Sequence, residues 1–86
     1  MDLLKLQNAL AETFGDNNVK PYKKGFRVIV DYNNMPYCIV LRVENERFVM
    51  DRDAVDSDQA DYEDAYKKAY KMFIVNKDKF NEYIDL

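Results

Sequence analysis

The stretch "DRDAVDSDQADYED", residues 51–64, sets Asp51, Asp53, Asp56, Asp58, Asp61, Glu63 and Asp64 against a single basic residue, Arg52. Carboxylates at this density can coordinate a hard cation, start a helix, or present negative charge to a basic surface. Spacing argues against the cation. An EF-hand loop needs glycine at its sixth position and glutamate at its twelfth. Counted from Asp51 those positions hold Asp56 and Tyr62, counted from Asp53 they hold Asp58 and Asp64, and the run contains no glycine. The helix reading places Asp58, Asp61, Glu63 and Asp64 in the first turns, with Lys67, Lys68, Lys71 and Lys77 toward the other end, each set complementing the helix dipole. It leaves Asp51, Asp53 and Asp56 unexplained, because they precede the helix. That surplus predicts a negative ridge from Asp51 to Asp64, able to enter a basic groove built for phosphates and to use the same Arg and Lys contacts.

Little else in the chain offers covalent chemistry. There is no histidine, so the commonest general base is missing. Ser57 and Thr13 are the only residues of their types, and both fall where helix caps or surface turns are expected. Cys38 is the lone cysteine, which rules out an internal disulfide and fits a reducing compartment. It is read on the outer sheet face beside Asp31, where a carboxylate raises rather than lowers a thiol's pKa. No glycine-rich phosphate loop is present, and without histidine a tetrahedral zinc site would need mostly carboxylates. The expectation is no catalysis, no metal and no cofactor. "MDLLKLQNAL" lacks the basic start and apolar run of a signal peptide, and no apolar run approaches the roughly 20 residues of a membrane span, so a cytoplasmic protein is expected.

Charge is unevenly spread. Seven acids and one arginine give residues 51–64 a charge of −6, and with −3 overall the rest of the chain carries +3. Part of that excess is "KPYKKGFR", where Lys20, Lys23, Lys24 and Arg27 flank Tyr22. These four cations are the alternative site, one that would hold nucleic acid directly.

The elements that must position these charges follow from periodicity. Asp2 caps a helix over residues 3–14 with Leu3, Leu6, Leu10 and Phe14 on one stripe, and Gly15 stops it. Residues 19–25 read as a connection, Pro21 arguing against regular structure. "FRVIVDY", "YCIVLRV" and "RFVMD" alternate as three strands joined by "NNMP" and "NE". Keeping apolar residues on one face pairs Val30 with Ile39, Val28 with Leu41, Val43 with Phe48, and Leu41 with Met50. Ser57 or Asp58 caps a second helix carrying Tyr62, Tyr66, Ala69 and Phe73, which ends at Asn76. A short third helix follows, with Phe80, Tyr83 and Ile84 on one face. The predicted fold is a single α+β domain over residues 1–86, α-β-β-β-α, its three-stranded antiparallel meander covered on one face by helices.

The α-β-β-β-α order resembles the double-stranded-RNA-binding domain, and "KKAYK" at residues 67–71 is similar to that family's lysine-rich helix. That family sets its lysines at the helix start, whereas this helix starts acidic. In size, layout and acidic helix start the chain resembles the small inhibitors carried by phages and mobile elements, including anti-CRISPR proteins. That resemblance implies a protein partner, the basic nucleic-acid-binding groove of a host defence protein, contacted by Asp51, Asp53, Asp56, Asp58, Asp61, Glu63 and Asp64. The reading ranked first is thus a non-catalytic inhibitor or modulator. The others are a nucleic-acid binder using Lys20, Lys23, Lys24 and Arg27, and a self-associating structural protein using Ile29 and Val40 or an open sheet edge.

Overall fold

A computed structural model describes residues 2–84. Helix α1 spans Leu3–Phe14 and starts where the Asp2 carboxylate accepts the Lys5 N–H at 3.0 Å. It stops at Gly15, whose φ of +103° suits a residue without a side chain. The Gly15 N–H closes on the Ala11 carbonyl (2.7 Å), and the Asn18 side-chain amide donates to the Phe14 carbonyl (2.8 Å). Leu6, Ala9, Leu10 and Phe14 form the buried stripe.

Four strands follow rather than three: β1 (Val19–Tyr22), β2 (Gly25–Tyr32), β3 (Met35–Glu44) and β4 (Arg47–Arg52). They make one antiparallel sheet in sequence order. The extra strand occupies the segment expected to be a connection. Pro21 is tolerated there because β1 is an edge. The Val43 N–H bonds to the Lys24 carbonyl (3.3 Å), and Pro21 pairs with Phe26 and Phe26 with Leu41. That alternation turns the Pro21 nitrogen away from β2, so the sheet loses no bond to it.

The β3–β4 register is the expected one, Val43 opposite Phe48 and Leu41 opposite Met50. The β2–β3 register is displaced by two residues: Val30 faces Tyr37, Val28 faces Ile39, and Phe26 faces Leu41. The cause is the turn. Asn33 and Asn34 alone make it, with φ of +51° and +65°, so Met35 and Pro36 belong to the strand. Asn45 and Glu46 turn the next hairpin in the same way, at +52° and +63°. A shift of two preserves which face each side chain occupies, so the core set survives the error. Ile29 and Val40, the candidate self-association face, oppose Cys38 and Arg27 respectively.

Helices α2 (Tyr62–Val75) and α3 (Lys77–Ile84) join α1 on the inner face. Their buried residues Tyr62, Ala65, Ala69, Phe73, Phe80 and Ile84 share one core with Leu6, Leu10, Val28, Ile39 and Leu41. Phe80 stacks on Phe73 at 5.5 Å and meets the edge of Phe48 at 6.1 Å, which fastens α3 over β4. α2 begins later than expected, at Tyr62 rather than beside Ser57 or Asp58; residues Asp56–Asp58 form a separate 3-10 turn. No helix among the described residues is long and apolar enough to cross a membrane.

Gly25 carries a close approach between β2 and β3. A Cβ there would overlap the Leu41 carbonyl oxygen and lie 2.9 Å from the Arg42 Cα, both backbone atoms. Gly25→Ala is therefore expected to destabilise the domain by about 2 kcal/mol. Thermal unfolding followed by circular dichroism would read this as a fall of roughly 10 °C; an unchanged midpoint would refute the close approach.

Candidate functional site

The acidic run begins where the sheet runs out. β4 ends at Arg52, opposite Ile39, so Cys38 lies one step beyond the last β3–β4 pair. Its backbone groups on that side would lack partners, and buried ones without partners are costly. The chain after β4 folds back and supplies them. Asp56 Oδ2 accepts the Cys38 N–H at 2.8 Å, and the Tyr62 hydroxyl donates to the Cys38 carbonyl at 2.6 Å. Two side chains thus stand in for a missing turn of strand.

Asp53 holds this plug in place. Its Oδ2 accepts the Val55 and Asp56 N–H groups at 3.2 and 3.0 Å, its Oδ1 accepts Arg27 Nη2 at 2.9 Å, and its own N–H donates to the Tyr62 hydroxyl at 2.9 Å. Asp53 is only 8% exposed. Burial pushes its carboxyl up, but the Asp56 and Val55 amides and the Arg27 guanidinium outweigh that and hold it below the usual carboxylate range. The Tyr62 phenol is pushed up to about 12, chiefly by burial, and stays neutral so that it can donate.

Cys38 is placed differently from expectation. It opposes Ile29 rather than lying beside Asp31, it is buried under the plug, and Arg27 Nε donates to its sulfur at 3.0 Å. Burial raises its thiol, Arg27 opposes that, and Asp53 and Asp56 add to it. A raised, covered thiol is a poor nucleophile.

The other carboxylates divide cleanly. Asp51 takes Arg42 Nη2 at 3.0 Å on the outer face. Glu63 takes Arg52 through both oxygens at 2.8 and 2.9 Å, and the Arg52 guanidinium lies 4.4 Å from the centre of the Tyr66 ring. This hydrogen-bonded arginine holds Glu63 below the usual range. Asp58, Asp61 and Asp64 are exposed, and none forms an ion pair among the described residues. Asp64 shares an open cleft with Tyr32, Lys67, Lys68 and Lys71 without coming within pairing distance of the lysines. The structure therefore brings Asp53 and Asp56 into the fold, pairs Asp51 and Glu63 with arginines, and leaves three carboxylates around the start of α2. Among the described residues, no cluster of three or more Cys, Asp or Glu side chains could hold a metal ion.

The alternative basic set is also divided. Arg27 belongs to the plug, while Lys20, Lys23 and Lys24 are exposed and lack ion-pair partners among the described residues. Lys23 Nζ and Arg27 Cζ each lie 5.2 Å from the centre of the Tyr22 ring. Lys23 and Lys24 make the β1–β2 turn beside Asn45, whereas Asp64 lies beside Tyr32 near the β2–β3 turn, at the other end of the sheet and among Lys67, Lys68 and Lys71.

The role of Tyr62 as a hydrogen-bonding member was not legible in its spacing, which signals only a helix face. The partnership of Arg27 with Asp53 spans 26 residues, and nothing local announces it. Compared with known proteins, the chain matches no family model, no curated protein and no solved structure.

Removing the phenol should expose the plug's importance. Tyr62→Phe keeps the buried ring but leaves the Asp53 N–H and the Cys38 carbonyl unsatisfied, and is expected to cost about 2 kcal/mol in urea unfolding. Asp53 gives a pH signature. Its pKa is depressed in the folded protein, so its stabilisation is complete above the unfolded value, about 3.9, and is lost as pH falls through the folded value. Asp53→Asn should lower stability at pH 7 and flatten the decline below about pH 4. An unaltered acid limb in denaturation series would contradict the assignment.

Proposed function

We propose that this protein is a non-catalytic binding protein that inhibits or modulates a macromolecular partner by covering a basic, nucleic-acid-binding surface. The contacts are Asp58, Asp61 and Asp64, a smaller set than the seven-residue ridge expected from composition. The observation that carries the reading is that these three carboxylates stay exposed and unpaired while their four neighbours are engaged within the fold. Asp53 and Asp56 then act as positioning residues, because they pin the segment that presents the three. A rigid mount matters: charges on an ordered scaffold lose less entropy on binding than charges on a mobile loop. The likeness to small phage-borne inhibitors in size and layout supports a defence protein with a phosphate-binding groove as the kind of partner.

Charge reversal at the three positions tests it. Asp58→Lys, Asp61→Lys and Asp64→Lys together should leave the domain folded by circular dichroism but lower its thermal midpoint, since Asp61 and Asp64 sit at the start of α2, where a lysine opposes the helix dipole by about 0.3–1 kcal/mol. The same triple variant should lose at least about tenfold in capture of basic nucleic-acid-binding proteins from a bacterial lysate, because like charges would then face each other. Duplex DNA should compete with the parent for the captured protein. Undiminished capture by the variant would end the proposal. In gel shifts at low salt the parent should retain neither DNA nor RNA; salt-sensitive retention would transfer the function to Lys20, Lys23 and Lys24.

A further inference from the structure

At the opposite end from the acidic loop, α1 and the β1–β2 turn leave a half-open groove of about 370 Å³. Its walls are Leu3, Pro21, Phe26 and Val43, and Lys23 and Lys24 stand at its rim. We propose that this groove docks an acidic peptide segment through one bulky apolar side chain, its flanking carboxylates meeting the two lysines.

Three observations carry the proposal. The first is apolar exposure. Leu3, which lines the cleft, is 55% exposed, a large aliphatic residue left uncovered at the helix start. The groove is of the size that receives small apolar groups, and Leu3 shows that its wall is unfinished.

The second is charge. Lys23 and Lys24 have no ion-pair partner among the described residues, and neither does neighbouring Lys20. An occupant with an apolar centre and acidic flanks satisfies both the walls and the rim, and a neutral or basic one satisfies the walls alone.

The third is backbone. Pro21 offers no N–H at the open edge of β1, so an incoming strand could not extend the sheet there in full register. Recognition falls to side chains, which suits a short anchored segment. Nucleic acid is a poorer fit, because base recognition needs exposed aromatic faces and the one ring in the groove, Phe26, is 2% exposed. The two ends would then read opposite partners, a basic surface at α2 and an acidic segment at the β1–β2 turn.

The test uses the full chain labelled with ¹⁵N and two blocked hexapeptides, DEFLDE and KKFLKK. DEFLDE should shift the amide signals of Leu3, Lys24, Phe26 and Val43 saturably, and KKFLKK should bind at least tenfold more weakly. Leu3→Ser, at an exposed side chain, and Lys23→Glu with Lys24→Glu should each weaken DEFLDE at least tenfold, with the remaining spectrum unchanged. If the charge variant perturbs the turn, the Leu3→Ser comparison decides alone. No saturable shift in the groove, or equal binding of both peptides, would overturn the proposal. So would the same shifts arising on raising protein concentration alone, which would assign the groove to a second copy. Shifts produced by phosphatidylglycerol vesicles or a DNA hairpin in place of DEFLDE would overturn it too.

Discussion

A carboxylate withdrawn from water stays ionised only if its surroundings replace the solvation it has lost. Asp53 meets that requirement with two backbone N–H groups and one guanidinium, and the end of the sheet is closed around it. Arg27 comes from β2, the amides from the loop after β4, and the Tyr62 hydroxyl from the start of α2. Asp53 thus joins a strand and a loop through its carboxylate and a helix through its backbone N–H. Loss of any partner would leave the others poorly satisfied, which is why such networks either close completely or fail.

The same constraint explains why an acidic stretch does not behave as one surface. A short β4 leaves the β3 backbone open at Cys38, and the loop that closes it must bring acceptors for an N–H and donors for a carbonyl. Aspartate is well suited to the first task because its short side chain accepts from nearby backbone N–H groups. Asp53 and Asp56 are therefore structural carboxylates. Asp51 and Glu63 meet arginines at the surface, where pairing fixes geometry more than it adds stability. What projects beyond the fold is the remainder, and a functional reading has to rest on that remainder.

Edges are handled by similar local means. β1 is short and carries Pro21, which blunts pairing on its open side. At the other edge the Tyr66 hydroxyl donates to the Met50 carbonyl at 3.0 Å, while α3 packs Phe80 against Phe48. Tyr62 and Tyr66, one helical turn apart, both send hydroxyls to backbone carbonyls of the sheet. Aromatic residues that look like plain core in sequence here also seal the sheet's polar margins, because a phenol combines an apolar body with a donor at its tip.

Periodicity by itself determined the α+β class, the span of α1, the strands β2 to β4, the inner-face core set and the β3–β4 register. Each of these rests on contacts within a hairpin or a helix turn, where side-chain spacing and turn chemistry decide the outcome. β1 was hidden because Pro21 speaks against a strand everywhere except at an edge, and whether a strand is an edge is a property of the whole sheet. The β2–β3 register hung on which residues make a two-residue turn, a choice that hydrophobic alternation leaves open to shifts of two. The site was legible as charge and illegible as arrangement. Asp53 and Asp58 look alike in a run of acids, and only the end of β4 next to Cys38, with Arg27 reaching across from β2, makes one an internal ligand and leaves the other in solvent.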